Sequence, residues 1–254
     1  MSTLKIINGF LTPNPLEDWT DFEEVYITLR EKEGRILREE EILRLPEVDK
    51  SNPLYKEWKI RKRSSRKLLN YIQKNPRFSD VLEVGCGNGW FTSLLADSAK
   101  GKVWGIDINR KELKQARKLF LKKQGNVRFL YGDIRSGFLA ENKFDLIVFA
   151  ASIQYFKSVK EIIHEALQHL TLQGEIHIID SAFYSPKEIN FAKMRSEKYF
   201  TDLGFPSMSR FYFHHGIQEI KSFNYSVLYD PHTWINRAFQ KTPFYLIVIK
   251  NHYI

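Results

Sequence analysis

The chain has 254 residues, with 39 Lys and Arg against 30 Asp and Glu, for a formal charge of +9. That length suits one large α/β domain with appended segments and a sizeable core, and no apolar run approaches the ~18 residues needed to span a bilayer. The single cysteine, Cys86, excludes an internal disulfide and a multi-cysteine zinc or iron–sulfur site, and a polar N-terminus without a signal-peptide core points to a cytoplasmic protein.

Residues 1–18, broken by Gly9, Pro13 and Pro15, read as a draped arm. From Asp21 onward Phe22, Val25, Tyr26 and Leu29 share one helical face. After Gly34, Ile36, Leu37, Ile42 and Leu43 predict a second short helix that stops before Pro46. Residues 1–52 are therefore expected to cap a main domain over residues 53–254. Ser51-Asn52-Pro53 opens a helix that runs to about Lys74. Its apolar stripe passes from Leu54 and Trp58 through Arg61 and Ser65 to Leu68, or Leu69, and Ile72. Arg61 thus lies on the packing face, where a charge needs a partner. It either pairs with a structural acid or runs to solvent, or its guanidinium reaches an anionic ligand group. Lys59, Lys62, Arg63, Arg66 and Lys67 lie mostly opposite and read as a solvated face.

Val81-Leu82-Glu83-Val84 then leads into Gly85-Cys86-Gly87-Asn88-Gly89, and Phe91, Leu94 and Leu95 follow at helical spacing. The glycines therefore occupy a strand-to-helix turn whose amides face an incoming group. In a dinucleotide-binding GxGxxG turn the third glycine lets helix and strand pack closely. Counted from Gly85, that place belongs to the bulky Trp90. Cys86 reads as a small residue inside the loop rather than a nucleophile. Val103-Trp104-Gly105-Ile106-Asp107 is a second strand, with its terminal acid 22 positions after Gly85. An acid at about 20 residues is placed to bind ribose hydroxyls; the plainer role is a helix cap.

Leu113, Ala116 and Phe120 mark a helix over Lys111–Lys123, ended by Gly125. Val127–Ile134 contains a third strand ending in Gly132-Asp133, and Phe144–Ala151 a fourth, apolar enough to be covered on both faces. Ser152-Ile153-Gln154-Tyr155-Phe156 follows it. Val159 to Leu170 forms an amphipathic helix with His164 and His169 off its apolar stripe, both read as surface histidines. Leu170 to Asp180 is a fifth strand. Residues 181–222 form an insertion, with a helix over Pro186–Leu203 and an aromatic cluster, Arg210-Phe211-Tyr212-Phe213-His214-His215-Gly216. A short helix at Ile217–Ile220, a strand at Phe223–Tyr229, a helix from Asp230 and a strand at Phe244–Ile249 complete the chain.

These five pieces, in order across residues 81–180, resemble the class I S-adenosylmethionine (SAM) dependent methyltransferases, whose first motif reads ExGxGxG. The resemblance implies an α/β, Rossmann-like fold: a seven-stranded, mostly parallel sheet with helices on both faces and an antiparallel last strand. It implies SAM as cofactor, bound by Glu83, Gly85, Cys86, Gly87, Gly89, Asp107, Ile108, Asp133, Ile134 and Ala150. Asp107 is expected at the ribose, and Asp133 with Ile134 at adenine. The Ser-x-Gln-Tyr segment differs from the Asn- or Asp-Pro-Pro-Tyr of nucleic-acid amino-methyltransferases, and no cysteine serves cytosine-C5 chemistry. A small-molecule acceptor, methylated at O or N beside Gln154 and Tyr155, is the reading preferred, with the insertion as a substrate lid. Among groups that take a proton near neutral pH, histidine is the usual one. An extended segment sends His214 and His215 to opposite faces. His215 is the expected catalytic base, His214 an acceptor contact and Arg61 an anion clamp; no metal is required. The charge leaves open an RNA or protein methyltransferase, although a lysine-rich soluble surface explains it more simply. The fold alone would also suit a non-catalytic SAM-binding protein.

Overall fold

The computed structural model describes residues 5–7, 10–12, 19–137, 139, 141–239 and 242–251. Strands β1 (Lys5–Ile7) and β2 (Phe10–Thr12) form a hairpin. Helix α1 (Thr20–Lys32), the four-residue α2 (Glu39–Ile42) and the long α3 (Tyr55–Lys74) follow. Then come β3 (Val81–Val84), α4 (Trp90–Ser98), β4 (Val103–Asp107) and α5 (Arg110–Ala116), which runs on as a π-helical turn over Arg117–Leu121. Strands β5 (Val127–Tyr131) and β6 (Phe144–Ala150), helix α6 (Val159–Gln168) and strand β7 (Leu170–Ile179) complete the alternating part. Beyond it lie β8 (Phe183–Tyr184), α7 (Ile189–Asp202), β9 (His215–Gly216), β10 (Tyr225–Tyr229), α8 (Trp234–Phe239) and β11 (Leu246–Lys250).

The main sheet is ordered β1-β2-β5-β4-β3-β6-β7-β11-β10. From β5 to β7 every pairing is parallel, and β11 runs against both β7 and β10. This is the expected seven-stranded sheet, with its last strand reversed. The hairpin extends it by two strands, because β2 pairs parallel with β5 at Leu11 and Leu130. Residues 1–18 were expected as a draped arm, and the part of them that is described is this hairpin. Residues 1–4, 8–9 and 13–18 lie outside the described residues.

Parallel strands must be covered on both faces, and β6 shows why its sequence is so apolar. Leu146, Ile147, Val148 and Phe149 are all fully buried. One face packs on Leu68 and Ile72 of α3, Phe91 and Leu95 of α4 and Leu113 of α5. The other packs on Ile162, Ile163 and Ala166 of α6. Each such side chain removed from water contributes about 1.5–3 kcal/mol. A third, smaller cluster stands above the sheet, where Leu29 of α1 meets Phe200 of α7 and Met208, with Phe22, Tyr26, Tyr155 and Phe211 beside them. It fastens the N-terminal helix to the insertion.

One surface assignment is corrected. His164 is exposed, but His169 is 3% exposed and its ring bonds to Glu165 at 3.2 Å. It closes α6 where the chain turns straight into β7, and that turn covers a position outside the helical stripe.

Candidate functional site

A cavity of about 350 Å³ opens at the C-terminal ends of β3, β4, β5 and β6, between α1 and α3. In open α/β sheets this is the edge where ligands bind. The glycine loop forms its base. Gly85 has φ +78°, and a Cβ there would stand 2.4 Å from the Cβ of Ser152. Ser152 in turn donates a hydrogen bond to the Val84 carbonyl at 2.5 Å, which fastens the end of β6 to the turn. Asp107 closes the loop from the other side. Its carboxylate accepts from the Gly87 amide at 2.7 Å and the Asn109 amide at 2.8 Å.

The cavity is lined by nine of the ten expected cofactor residues: Glu83, Gly85, Cys86, Gly87, Asp107, Ile108, Asp133, Ile134 and Ala150. Gly89 does not line it. A Cβ on Gly89 would meet Ala116 and Phe129 at 2.8 Å, so this glycine lets α4 start close against α5 and β5. Burial pushes the Cys86 thiol well above its ordinary pKa, in keeping with a packing role against Gly105, whose Cβ would lie 2.8 Å from its sulfur. The Asp133 carboxylate is held by Arg135 at 2.6 and 2.8 Å, which leaves Ile134 and the backbone of that turn to border a ring.

Of the expected acceptor residues, Arg61 and Tyr155 line the cavity, and Gln154, His214 and His215 do not. Gln154 braces the loop: its side-chain amide donates to the Ala151 carbonyl at 2.6 Å and its backbone carbonyl accepts from the Phe213 amide. His214 bonds to Ser196 at 2.8 Å. His215 is 3% exposed and lies in β9, paired with β8, with its ring nitrogen donating to the Ile153 carbonyl at 3.2 Å. Burial lowers its pKa and keeps it neutral. The geometry therefore separates His215 from the place where it was expected to act as a base, because pairing of β9 with β8 turns it inward.

The lining residues of α1 were missed by the sequence reading, whereas Phe211 belongs to the aromatic cluster that it took as a wall of the acceptor site. Phe22, Tyr26 and Arg30 project from α1 and Phe211 from the insertion, and they meet Tyr155 in an aromatic chamber. Arg30 donates to the Tyr155 hydroxyl at 2.6 Å and its guanidinium lies 4.8 Å from the Tyr26 ring centre. An arginine among the apolar positions of α1 was the available signal. The charges continue as an alternating chain: Arg30 to Glu33 at 2.7 Å, Glu33 to Arg35 at 3.2 Å, Arg35 to Glu57 at 2.7 Å and Glu57 to Arg61 at 3.1 Å. Burial works against ionising Glu57, but Arg61 and Arg35 hold its carboxyl below the usual range. The chain ties α1 to α3 over the cavity mouth, so Arg61 has a structural acid and also faces the ligand space.

The opposite end is acidic. Burial pushes Glu83 up to about 8, Glu112 to about 7 and Asp107 to about 6, and the acids repel one another as well. Buried carboxyls in one cavity call for a ligand that brings hydrogen-bond donors or positive charge. SAM carries a sulfonium, an ammonium and two ribose hydroxyls, so these residues fit it. A testable consequence concerns pH. An acid with a raised folded-state pKa holds a proton that the unfolded chain has released. Its stabilising contribution is present below its unfolded value and is lost as pH rises through the folded one. For Glu112 that window runs from 4.5 to about 7. Between pH 5 and 8 the Glu112→Gln variant should gain stability on the parent protein by about 1–3 kcal/mol, a one-unit shift being worth about 1.4. Parallel thermal melts at the two pH values would contradict this environment for Glu112.

Comparison with known proteins adds a family likeness. Residues 81–174 match the family described as a methyltransferase domain. The chain is 35% identical over 117 residues to the malonyl-[acyl-carrier protein] O-methyltransferase of Calditerrivibrio nitroreducens, a match covering 45% of this chain and 44% of that protein. It is 34% identical over 122 residues to the ribosomal RNA small subunit methyltransferase C of Mannheimia succiniciproducens, covering 46% of this chain and 36% of that protein. The chain thus spans less than half the length of these curated relatives. The fold superposes on the magnesium protoporphyrin IX methyltransferase of Synechocystis PCC 6803 with bound SAH, at a TM-score of 0.57 and 15% identity, over 92% of this chain and 98% of that one.

Proposed function

From the match of residues 81–174 to a methyltransferase domain and the likeness to methyltransferases, we propose that the chain is a class I SAM-dependent methyltransferase that transfers a methyl group from SAM to a small-molecule acceptor, at an oxygen or nitrogen atom. The observation that carries this reading is the continuity of one cavity from an acidic end to an aromatic chamber. The acidic end, with Asp107 for the ribose hydroxyls and Glu83 beneath the glycine loop, suits the cofactor. The chamber of Phe22, Tyr26, Tyr155 and Phe211 suits a flat or apolar acceptor next to the end of β6. SAM would supply an electrophilic methyl on a positively charged sulfur: an acceptor lone pair in line with the C–S bond takes the methyl, neutral S-adenosylhomocysteine leaves, and a proton carried by the accepting oxygen or nitrogen is released to solvent.

The protein's part is positioning. Alignment of two bound reactants is worth about 7–11 kcal/mol of the barrier, and the α1 roof with its ion chain keeps water from the reacting atoms. Tyr155 accepts a hydrogen bond from Arg30 at its oxygen, which leaves its own O–H to donate to a group of the acceptor. Burial raises the pKa of Tyr26, and Arg30 opposes this without cancelling it. Tyr26 is therefore a wall of the chamber and not a base. No residue of the chamber is assigned as a general base, and the acceptor's own pKa then sets the pH at which it reacts. The malonyl-carrier relatives methylate an oxygen by name, which supports the oxygen alternative here.

The test is transfer of a tritiated methyl from SAM into three fractions of one cell extract: metabolites below ~3 kDa, RNA and protein. Label is expected in the low-mass fraction. Label in RNA, as the ribosomal RNA relative and the charge of +9 would favour, or in protein, would replace this reading; label in none would leave a SAM-binding protein without transfer.

A further inference from the structure

On α3 the cations Lys59, Lys62, Arg63, Arg66 and Lys67 recur at the spacing of a single helical face. Like charges three or four residues apart repel by about 0.2–0.5 kcal/mol per pair, so an anionic group that meets the stripe stabilises the helix. The structure shows that this face does not simply look into solvent. It forms one wall of a second cavity, of about 700 Å³, on the far side of α3 from the cofactor cavity. Glu47 on the 46–50 loop neutralises Lys62, and Lys67 sits 4.5 Å over the Tyr229 ring. Half-buried rings of Tyr55, Phe244 and Tyr245 line the same space.

These two linings recognise different chemical groups. Guanidinium and ammonium groups bind phosphate oxygens. Aromatic rings take the face of a nucleobase, worth about 1–3 kcal/mol per base. We propose that this second cavity is a binding site for a nucleoside polyphosphate moiety. Its size lies within the range of about 300–1,000 Å³ typical of small-ligand sites, and its cations are those of about two turns of α3 with Lys50 of the facing loop, beside Glu47 and Asp49. A single nucleotide moiety suits these dimensions, whereas a nucleic-acid strand needs a longer basic track. Helix α3 contributes to the linings of both cavities. Ser64, three residues beyond Arg61, lines the second cavity and donates a 2.7 Å hydrogen bond to Asp180 at the end of β7. Arg61 lines the first. A nucleotide held here is either a separate ligand or the handle of an acceptor whose other end reaches across α3. The site itself does not depend on the methyl-transfer reading.

The test uses the full chain with S-adenosylhomocysteine saturating the cofactor cavity, so that adenine cannot occupy it. Calorimetric titration with ATP should show one site that weakens as salt rises. The double variant Lys59→Glu/Arg66→Glu should lose about thirtyfold in ATP affinity, while its affinity for S-adenosylhomocysteine stays level. Pyrophosphate should bind more weakly than ATP, and Phe244→Ala/Tyr245→Ala should remove the difference. Inhibition of labelled methyl transfer by ATP, competitive with the acceptor, would mark the moiety as an acceptor handle; binding without inhibition would mark a separate ligand, and both uphold the site. The proposal is overturned by the absence of heat from ATP at about 1 mM, by displacement of S-adenosylhomocysteine, or by ATP binding that the charge-reversed variant retains. It also fails if a ten-nucleotide single strand binds about a hundredfold tighter than ATP, because the face then serves RNA.

Discussion

The Asp107→Ala variant should bind SAM about 5- to 150-fold more weakly than the parent protein, a loss of about 1–3 kcal/mol from two hydrogen bonds to a charged acceptor. Two effects add. The carboxylate at the end of β4 is the group proposed for the ribose hydroxyls, and it also accepts from the Gly87 and Asn109 amides. Its removal therefore loosens the glycine loop as well as the ligand. Asp107→Asn keeps one oxygen acceptor and should fall between the two. Calorimetry on variants with unaltered melting temperature checks this, and a folded Asp107→Ala protein with parental SAM affinity would remove Asp107 from the site.

The second large effect is predicted at Gly85. Alanine there places a methyl 2.4 Å from the Ser152 Cβ and asks a residue with a Cβ to hold φ +78°. Overpacking of this kind costs about 1–3 kcal/mol, and a left-handed backbone at a non-glycine residue adds about 1–3. At about 2–4 °C per kcal/mol for a chain of this size, the melting temperature should drop by about 5–20 °C, and SAM affinity should fall with it. Gly125→Ala is the control, since nothing lies within 4 Å of its added Cβ; it should melt within about 2 °C of the parent. Ser152→Gly should partly rescue Gly85→Ala by restoring the space but not the backbone angle. Equal melting of Gly85→Ala and Gly125→Ala would contradict the close approach of β6 to the loop.

The parts of the site legible in the sequence are those set by local chemistry. Three glycines in one loop announced three left-handed backbone angles, and Gly85, Gly87 and Gly89 all have them. Strand periodicity put Asp107 at the end of β4, and a Ser-Asn-Pro start with an apolar stripe placed α3 within two residues. The rest depended on how distant elements dock. Arg30, Tyr26 and Phe22 belong to the site because α1 is pinned by Phe200 and Met208, which no pattern within α1 records. Glu112 reads as an ordinary first-turn acid of α5 until β4 and the glycine loop enclose it. Counting alternate faces through His214-His215 separated the two side chains correctly in principle, but which face met the cavity was decided by pairing with β8. The two N-terminal strands, three residues each, are too short to show any period. The lysine stripe of α3 was read as solvated because part of its facing wall, residues 242–246, lies far away in sequence.

SAM is expected in the cavity at the ends of β3, β4, β5 and β6, and calorimetric titration of the 254-residue chain tests that most directly. SAM should bind at one site per chain with a dissociation constant in the micromolar range, about −8 kcal/mol, and NAD should not compete, because Trp90 stands where a dinucleotide turn needs its third glycine. Absence of SAM binding at about 1 mM, or displacement of SAM by micromolar NAD, would contradict it.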